Sequence, residues 1–426
     1  MDHASLAKLL TPDGWALLNA LPPYDEKLAM AVSERLRAKG FEQDMVAAAL
    51  TQSRLRGKAA AKFGPFVEGM LFTQAGLEQA TRLVVGARHA QRYLAAGVDR
   101  VVDLTCGVGA DAMAFAGVDL RVLATEIDEV TAAVATVNLR AFPEATVRHA
   151  DGLALDLAAE GFTGPGAGIY ADPARRTRSG KRIVDPKAYA PALDDVWDLR
   201  SQVPAVGIKV GPGISHNGLP DDCEAQWVSV DGDVVEAGLW FGPLAPDGHG
   251  RTALLLRTVD ERTDARTFRA DEHTEAPPRA VERVADIGSY LYEPDGAVIR
   301  AGLVADASRL LDGRLLDRTI AYVTTDTPHA ETSTVPIATG YRILDSMPFG
   351  LKKLRGYLRE RDVGRVTIKK RGTAVTPEHL RSQLALRGSA EATIVLTRVA
   401  GSQQILVVEP LDRTARSHPP APDVTE

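Results

Sequence analysis

VVDLTCGVGADA, Val101 to Ala112, decides the architecture of this chain. An apolar strand runs straight into an acid and a two-glycine turn, and the turn opens a helix. Val101, Val102 and Leu104 read as a parallel strand buried on both faces. Gly107 and Gly109 permit backbone conformations and close approaches that a Cβ would block, so a ligand can lie against the main chain. The helical stretch holding Asp111, Met113 and Phe115 aims its first amides into the crevice beyond the strand ends, where open α/β sheets bind ligands.

Working outward, RVLATEI (Arg121 to Ile127) is a second strand ending at Glu126, with Asp128 just beyond. An acid about 20 residues past the glycines can bond both hydroxyls of a ribose, and it prefers an unphosphorylated one. A third strand near Thr146 to His149 ends at Asp151-Gly152, placed to meet an adenine amine. The fourth, AGIYADPARR, ends at Asp172-Pro173. Acids at the ends of these strands, Asp103 included, make a nucleoside-cofactor cleft the expected site. AVGIKVGPGI supplies a fifth strand, with Lys209 and the Gly211-Pro212-Gly213 loop facing the same crevice. AQWVSVDGDVVEAGLWFG and RTALLLRTV complete the sheet, with a hairpin turn at Asp231-Gly232-Asp233.

Composition bounds the rest. A chain of 426 residues with 45% hydrophobic content has the apolar surface for two or three cored domains. Its net charge of -6 gives no overall attraction to nucleic acid, so such binding has to come from a local basic patch. Cys106 and Cys223 are the only cysteines, which excludes a disulfide framework and a cysteine-rich metal cluster. No metal is expected. The N-terminus lacks a leader pattern and no run approaches the roughly 18 apolar residues of a membrane span, so the expected compartment is the cytoplasm.

In combination these motifs resemble the class I S-adenosylmethionine-dependent methyltransferases, over about Val98 to Arg257. DLTCGVG, ATEID, HADGL and YADPARR stand where that family has its first four motifs. The resemblance implies a Rossmann-like sheet and S-adenosyl-L-methionine as cofactor. It places Asp103, Cys106, Gly107 and Gly109 at the cofactor's methionine end, Glu126 and Ile127 at the ribose, and Asp151 and Gly152 by the adenine. Asp172 and Pro173 would border the methyl acceptor. Two alternatives stand beside it. Gly107, Gly109 and Ala112 also satisfy the G-x-G-x-x-A of nicotinamide-dependent oxidoreductases, although Asp103 and Asp172-Pro173 are not required there. The other alternative is a protein that keeps the cofactor fold as a non-catalytic RNA-binding surface.

The fourth motif limits the chemistry. Enzymes that methylate base amines usually carry an acid or amide, two prolines and an aromatic ring that stacks on the flipped base; here the run is Asp172-Pro173-Ala174-Arg175. DPAR also looks like the fourth motif of enzymes that methylate uracil C5, but those need a nucleophilic cysteine after the fifth strand. IKVGPGIS stands there instead. The expected chemistry is direct in-line transfer to a nitrogen or oxygen of RNA, with Asp172 accepting a hydrogen bond from the acceptor. Arg175 and Arg176, with Arg178, Lys181 and Arg182 nearby, would hold phosphate or carboxylate groups of the substrate.

Residues 1–96 read as a helical extension in which Leu6 and Leu10, then Leu17 and Leu21, are each spaced for one helix face. Within it Arg54, Arg56, Lys58 and Lys62 form a basic run of the kind that is usually a solvated face. The segment resembles the lead-in of trimethylguanosine synthase relatives, where it helps close over cofactor and substrate, making Thr73, Glu78 and Gln79 further candidates. The expected divisions are a methyltransferase domain at 97–258, a polar linker at 259–280, an α+β connecting region at 281–349, a small α+β domain at 350–412 and a loose tail at 413–426. Between Lys352 and Arg371 nine Lys or Arg residues face two acids. Lys369, Lys370 and Arg371 end a strand beside Gly372, where charge and turn amides can meet a phosphate. About Gly350 to Leu411 resembles the THUMP-like domain found after a bacterial group of these methyltransferases. That resemblance implies RNA, either tRNA or rRNA, as partner.

Overall fold

The computed structural model describes residues 2–174, 188–260, 262–270, 277–330 and 333–411. Two units divide the chain: Met1–Ala225 with Glu236–Gly250, and Gln226–Val235 with Arg251–Glu426.

The first unit opens with α1 (His3–Leu9), α2 (Pro12–Asn19), α3 (Ala29–Ala38), α4 (Gln43–Phe63), α5 (Gln74–Gln79) and α6 (Leu83–Ala95). Asp2 caps α1 by accepting from the Ser5 N–H, and Thr11 caps α2 ahead of Pro12, whose missing N–H costs nothing in a first turn. Leu9, Leu17, Leu36, Val46 and Ala49 bury together as the core of these helices. The expected pairing of Leu6 with Leu10 is corrected here. Because α1 ends at Leu9, Leu10 becomes its cap and is 45% exposed, while Leu6 and Leu9 are buried.

The sheet follows: β1 (Arg100–Asp103), α7 (Ala110–Ala116), β2 (Arg121–Glu126), α8 (Glu129–Leu139), β3 (Ala145–His149), β4 (Ala167–Ala171), α9 (Leu193–Trp197), β5 (Ala205–Val210), β6 (Cys223–Val230) and β7 (Asp233–Phe241). In this unit the strand order is β3-β2-β1-β4-β5-β7, the first five parallel and β7 antiparallel to β5. This is the expected Rossmann-like arrangement, with a reversed strand following the five parallel ones. Val101 and Val102 are fully buried, as a strand covered on both faces must be. The chain steps outward from β1 through β2 to β3, then returns to place β4 on the other side of β1. That reversal opens a crevice beyond the strand ends. Asp231 and Gly232 take φ of 53° and 94°, the pair of left-handed conformations that a two-residue hairpin turn requires.

In the second unit β8 (Gly250–Val259) turns at Asp260 (φ 47°) into β9 (Arg262–Arg269), paired antiparallel from Val259↔Arg262 to Thr252↔Arg269. The expected linker is therefore a strand over Arg262–Arg269. Then come β10 (Tyr290–Pro294), α10 (Gly296–Arg300), α11 (Val304–Leu310), β11 (Arg314–Asp317), β12 (Ile320–Thr325), β13 (Ala338–Pro348), α12 (Leu351–Glu360), β14 (Val363–Arg371), α13 (Pro377–Leu384), β15 (Ala390–Val399) and β16 (Ser402–Pro410). A single sheet of order β11-β12-β10-β13-β16-β15-β14 takes in all of these strands. The division expected at 349/350 falls inside it, because β13 bonds β10 on one side and β16 on the other. The parallel pair β14–β15 is joined by α13, since parallel neighbours need a crossover. Leu354 and Leu358 of α12 and Leu380 and Leu384 of α13 pack with Ile368 and Ile394, while Leu291, Tyr322, Tyr341 and Leu406 belong to a second cluster. Among the described residues no helix is long and apolar enough to cross a membrane.

Candidate active site

A cavity of about 370 Å³ opens at the ends of the central strands of the first unit, lined by Cys106, Gly107, Glu126, Ile127, Asp151, Gly152 and Asp172 among others. Sequence reasoning named each of these. Gly107 at φ 54° and Gly109 at φ 88° turn the chain from β1 into α7, where Gly109 is the cap residue. A Cβ at Gly107 would have no protein atom within 4 Å, so the loop borders open space. Glu126 accepts from the Gly107 N–H through Oε2 at 3.1 Å and from the Asp128 N–H through Oε1 at 2.9 Å. Burial pushes its carboxyl above the usual range despite these bonds. Asp128 caps α8 through the Thr131 N–H, a bond worth about 1 kcal/mol in such caps.

Ile127 is 69% exposed and offers an apolar wall beside Glu126. Asp151 accepts from the Leu153 N–H at 3.0 Å. A Cβ on Gly152 would lie 2.6 Å from the Leu104 carbonyl oxygen and 2.7 Å from Thr125 Oγ1, so only glycine seats that turn against β1. Asp103 does not line the cavity. It is buried behind the loop, with Oδ1 accepting from the Thr105 N–H at 3.1 Å and Oδ2 lacking a hydrogen-bond partner. Burial, reinforced by Asp111, drives its carboxyl well above the usual range, which favours the neutral acid. Gly109 and Pro173 are not among the lining residues. Arg175, Arg176, Arg178, Lys181 and Arg182 lie outside the described residues.

The lead-in segment covers one side of this cavity, with Thr73, Gln79 and Thr81 in its lining; Glu78 is not among the lining residues, and its carboxylate instead accepts from Gln74 Nε2 at 2.6 Å. Leu71 and Phe72 belong to no helix or strand, so side chains must satisfy their backbone groups. Gln52 of α4 bonds both the N–H and the carbonyl of Phe72. Asn138 of α8 does the same for Leu71 and also donates to the Val108 carbonyl of the glycine loop at 2.8 Å. Lys62 Nζ donates to the carbonyls of Leu77, Glu78 and Ala80 at the end of α5, and Arg56 donates to the Met70 carbonyl. Two members of the expected solvated run are thus half-buried fasteners. Burial, with Lys209 and Arg82 nearby, lowers the Lys62 ammonium to about 8.

Behind the cavity runs a chain of alternating charge that the sequence did not disclose beyond Asp172 and Lys209. Asp172 takes the Lys209 ammonium on Oδ2 at 2.5 Å, and its own N–H donates to Thr105 Oγ1 at 2.7 Å. Lys209 also donates to Thr81 Oγ1 at 2.8 Å, and that hydroxyl donates to Asp111 Oδ2 at 2.5 Å. Asp111 Oδ1 meets His89 Nδ1 at 2.8 Å, and His89 Nε2 meets Glu236 Oε1 at 2.8 Å. Burial opposes a charge on His89, but Glu236 and Asp111 outweigh it and raise the imidazole to about 9. Burial likewise opposes a charge on Asp111, and His89 overcomes it, holding that carboxyl below its ordinary range. Lys209 is raised for the matching reason, by Asp172, Asp111 and Glu236 against burial.

In the second unit Lys369 Nζ is 2.7 Å from Glu293 Oε2, and Arg371 approaches Oε1 of the same residue at 3.9 Å. Lys370 points to the opposite face of β14 and is exposed.

Two Mycobacterium tuberculosis proteins, one from each of two strains, are both described as uncharacterized S-adenosylmethionine-dependent methyltransferases. Each is 34% identical over 360 residues, covering 82% of this chain and 92% of its own. A Porphyromonas gingivalis protein, described as a candidate methyltransferase, shares the fold with a TM-score of 0.68 at 20% identity, covering 91% of this chain and 99% of its own. Residues 338–410 match the THUMP domain-like family, and residues 2–59 match a domain family of unknown function.

Proposed function

Because the chain belongs to the S-adenosylmethionine-dependent methyltransferases, we propose that it methylates a nitrogen or oxygen of RNA, either tRNA or rRNA, with Asp172 at the acceptor. The observation that carries this reading is Asp172 in the lining of a cofactor-sized cleft, in a chain whose residues 338–410 match the THUMP domain-like family. Family membership removes the nicotinamide alternative.

The cleft fits the cofactor. Gly107 leaves open space along the loop, Glu126 offers carboxylate oxygens for ribose hydroxyls, Ile127 offers an apolar face to a purine, and Asp151 an acceptor for its amine. S-adenosylmethionine supplies a methyl on a sulfonium already activated for displacement, so positioning supplies most of the acceleration. Asp172 would accept a hydrogen bond from the acceptor and offset its developing positive charge. Asp103, Cys106, Gly107 and Gly109 would shape the methionine end, with Gly152 and Ile127 flanking the nucleoside and Pro173 fixing the turn after Asp172. Arg175 and Arg176 would hold substrate phosphates. On the second unit Lys370 would make the direct phosphate contact, with Lys369 and Arg371 beside it.

Incubating the purified protein with methyl-labelled cofactor and total cellular RNA tests the reading. Label is expected in RNA. Label in protein, or in neither, overturns RNA as the substrate.

A further inference from the structure

Lys209 stands next to the end of β5 with 4% of its surface exposed, and its ammonium collects three acceptors from two segments. Asp172 Oδ2 lies at 2.5 Å, Thr81 Oγ1 at 2.8 Å and the Gln79 carbonyl at 3.5 Å. An ammonium has three donors, and here each has a protein acceptor. Thr81 is fixed in turn, since its one proton goes to Asp111 while its oxygen accepts from Lys209. Gln79 and Thr81 line the cleft; so does Asp172. A buried ion pair adds little net stability over apolar residues of the same volume, so geometry is the property that distinguishes this one.

We propose that Lys209 is a positioning residue for methyl transfer, locking Asp172 and the Gln79–Thr81 segment into one arrangement, so that cover over the cofactor and orientation of the acceptor-binding acid are set together. The proposal rests on the reading of Asp172 given above. Lys209 acts through that carboxylate. Among the described residues, groups facing the pair include Lys62 from α4, Asp103 from β1, Asp111 from α7, Tyr170 from β4 and Glu236 from β7, with His89 from α6 beyond Asp111.

The test uses the full-length protein with labelled cofactor and total cellular RNA, measuring kcat and KM against pH, and S-adenosylhomocysteine affinity by calorimetry. Lys209→Met is expected to lower kcat by about 10²-fold, the cost of a small misplacement of reacting groups, with KM for RNA unchanged and S-adenosylhomocysteine affinity lowered as the Gln79–Thr81 cover loosens. Its acid limb of kcat should move to higher pH, because a carboxylate that loses the Lys209 ammonium is more easily protonated. Lys209→Arg should return the limb to its original place. A wild-type kcat in Lys209→Met, or a lowered kcat with the acid limb unmoved, overturns the proposal. Should that variant fail to fold, Thr81→Val decides: it keeps both charges, is expected to lower kcat, and overturns the proposal if kcat is undiminished. Asp172→Asn separates the two levels. Full turnover there removes Asp172 from the mechanism and this proposal with it, whereas an inactive Asp172→Asn beside an unshifted Lys209→Met sinks the positioning role alone.

Discussion

Asp172 ends a row of alternating charge and His89 lies within it, next to Glu236 at the far end, and substitutions at them should have opposite signatures. Asp172→Ala removes a carboxylate from the cleft without touching the glycine loop. Turnover should fall by about 10³-fold, the scale of losing one preorganised electrostatic partner, while S-adenosylhomocysteine affinity measured by calorimetry stays as in wild type. His89 belongs to stability instead. Its imidazole has a folded value of about 9 against an ordinary 6.5. The fold therefore favours the cation, so its stabilisation is complete below pH 6.5 and is lost as pH rises through 9. Urea midpoints should fall between those values, and His89→Gln should flatten that fall and cost about 3–5 kcal/mol, because two carboxylates stay buried without their cation. A wild-type midpoint in that variant contradicts the role. Asp103, Glu126 and Asp172 were legible because each ends or follows a buried, mainly apolar strand. His89 was not, since its partners Asp111 and Glu236 lie 22 and 147 residues away.

Among the elements, the lead-in segment is informative because it borrows its hydrogen bonds. Asn138→Leu would strand the Leu71 N–H and the Val108 carbonyl, at about 1–3 kcal/mol for each buried group left unpaired. The same variant should bind S-adenosylhomocysteine more weakly than wild type, because Val108 belongs to the loop that borders the cleft; unchanged affinity in calorimetry would mean that the loop holds its shape without α8. A window of sequence shows that Arg56 and Lys62 are charged, but not that carbonyls of Met70, Leu77, Glu78 and Ala80 await them. Local pattern likewise hid β9. Its residues run RTDARTFR and none is buried, so polarity resembled a linker, and pairing with β8 is what makes a strand of it. The methyltransferase sheet was legible for the converse reason: buried parallel strands announce themselves as apolar runs, and glycine must stand where they turn.

For the whole molecule, a chain of net charge -6 needs a local cationic surface to hold RNA. Lys370 is exposed, whereas Lys369 is tied to Glu293, so the two adjacent lysines should behave differently. In filter binding to total tRNA, Lys370→Ala should reduce the slope of log affinity against log salt by about 0.7, the value for one lost phosphate contact on a single strand. Lys369→Ala should act mainly on stability. Equal slopes in Lys370→Ala and wild type would remove Lys370 from the RNA surface. The β8–β9 hairpin has a separate consequence for handling this protein. Trypsin cuts only a chain that can leave its pairing and enter the protease, so the bonds after Arg262, Arg266 and Arg269 should survive limited digestion, and fragments cut at those arginines should not accumulate.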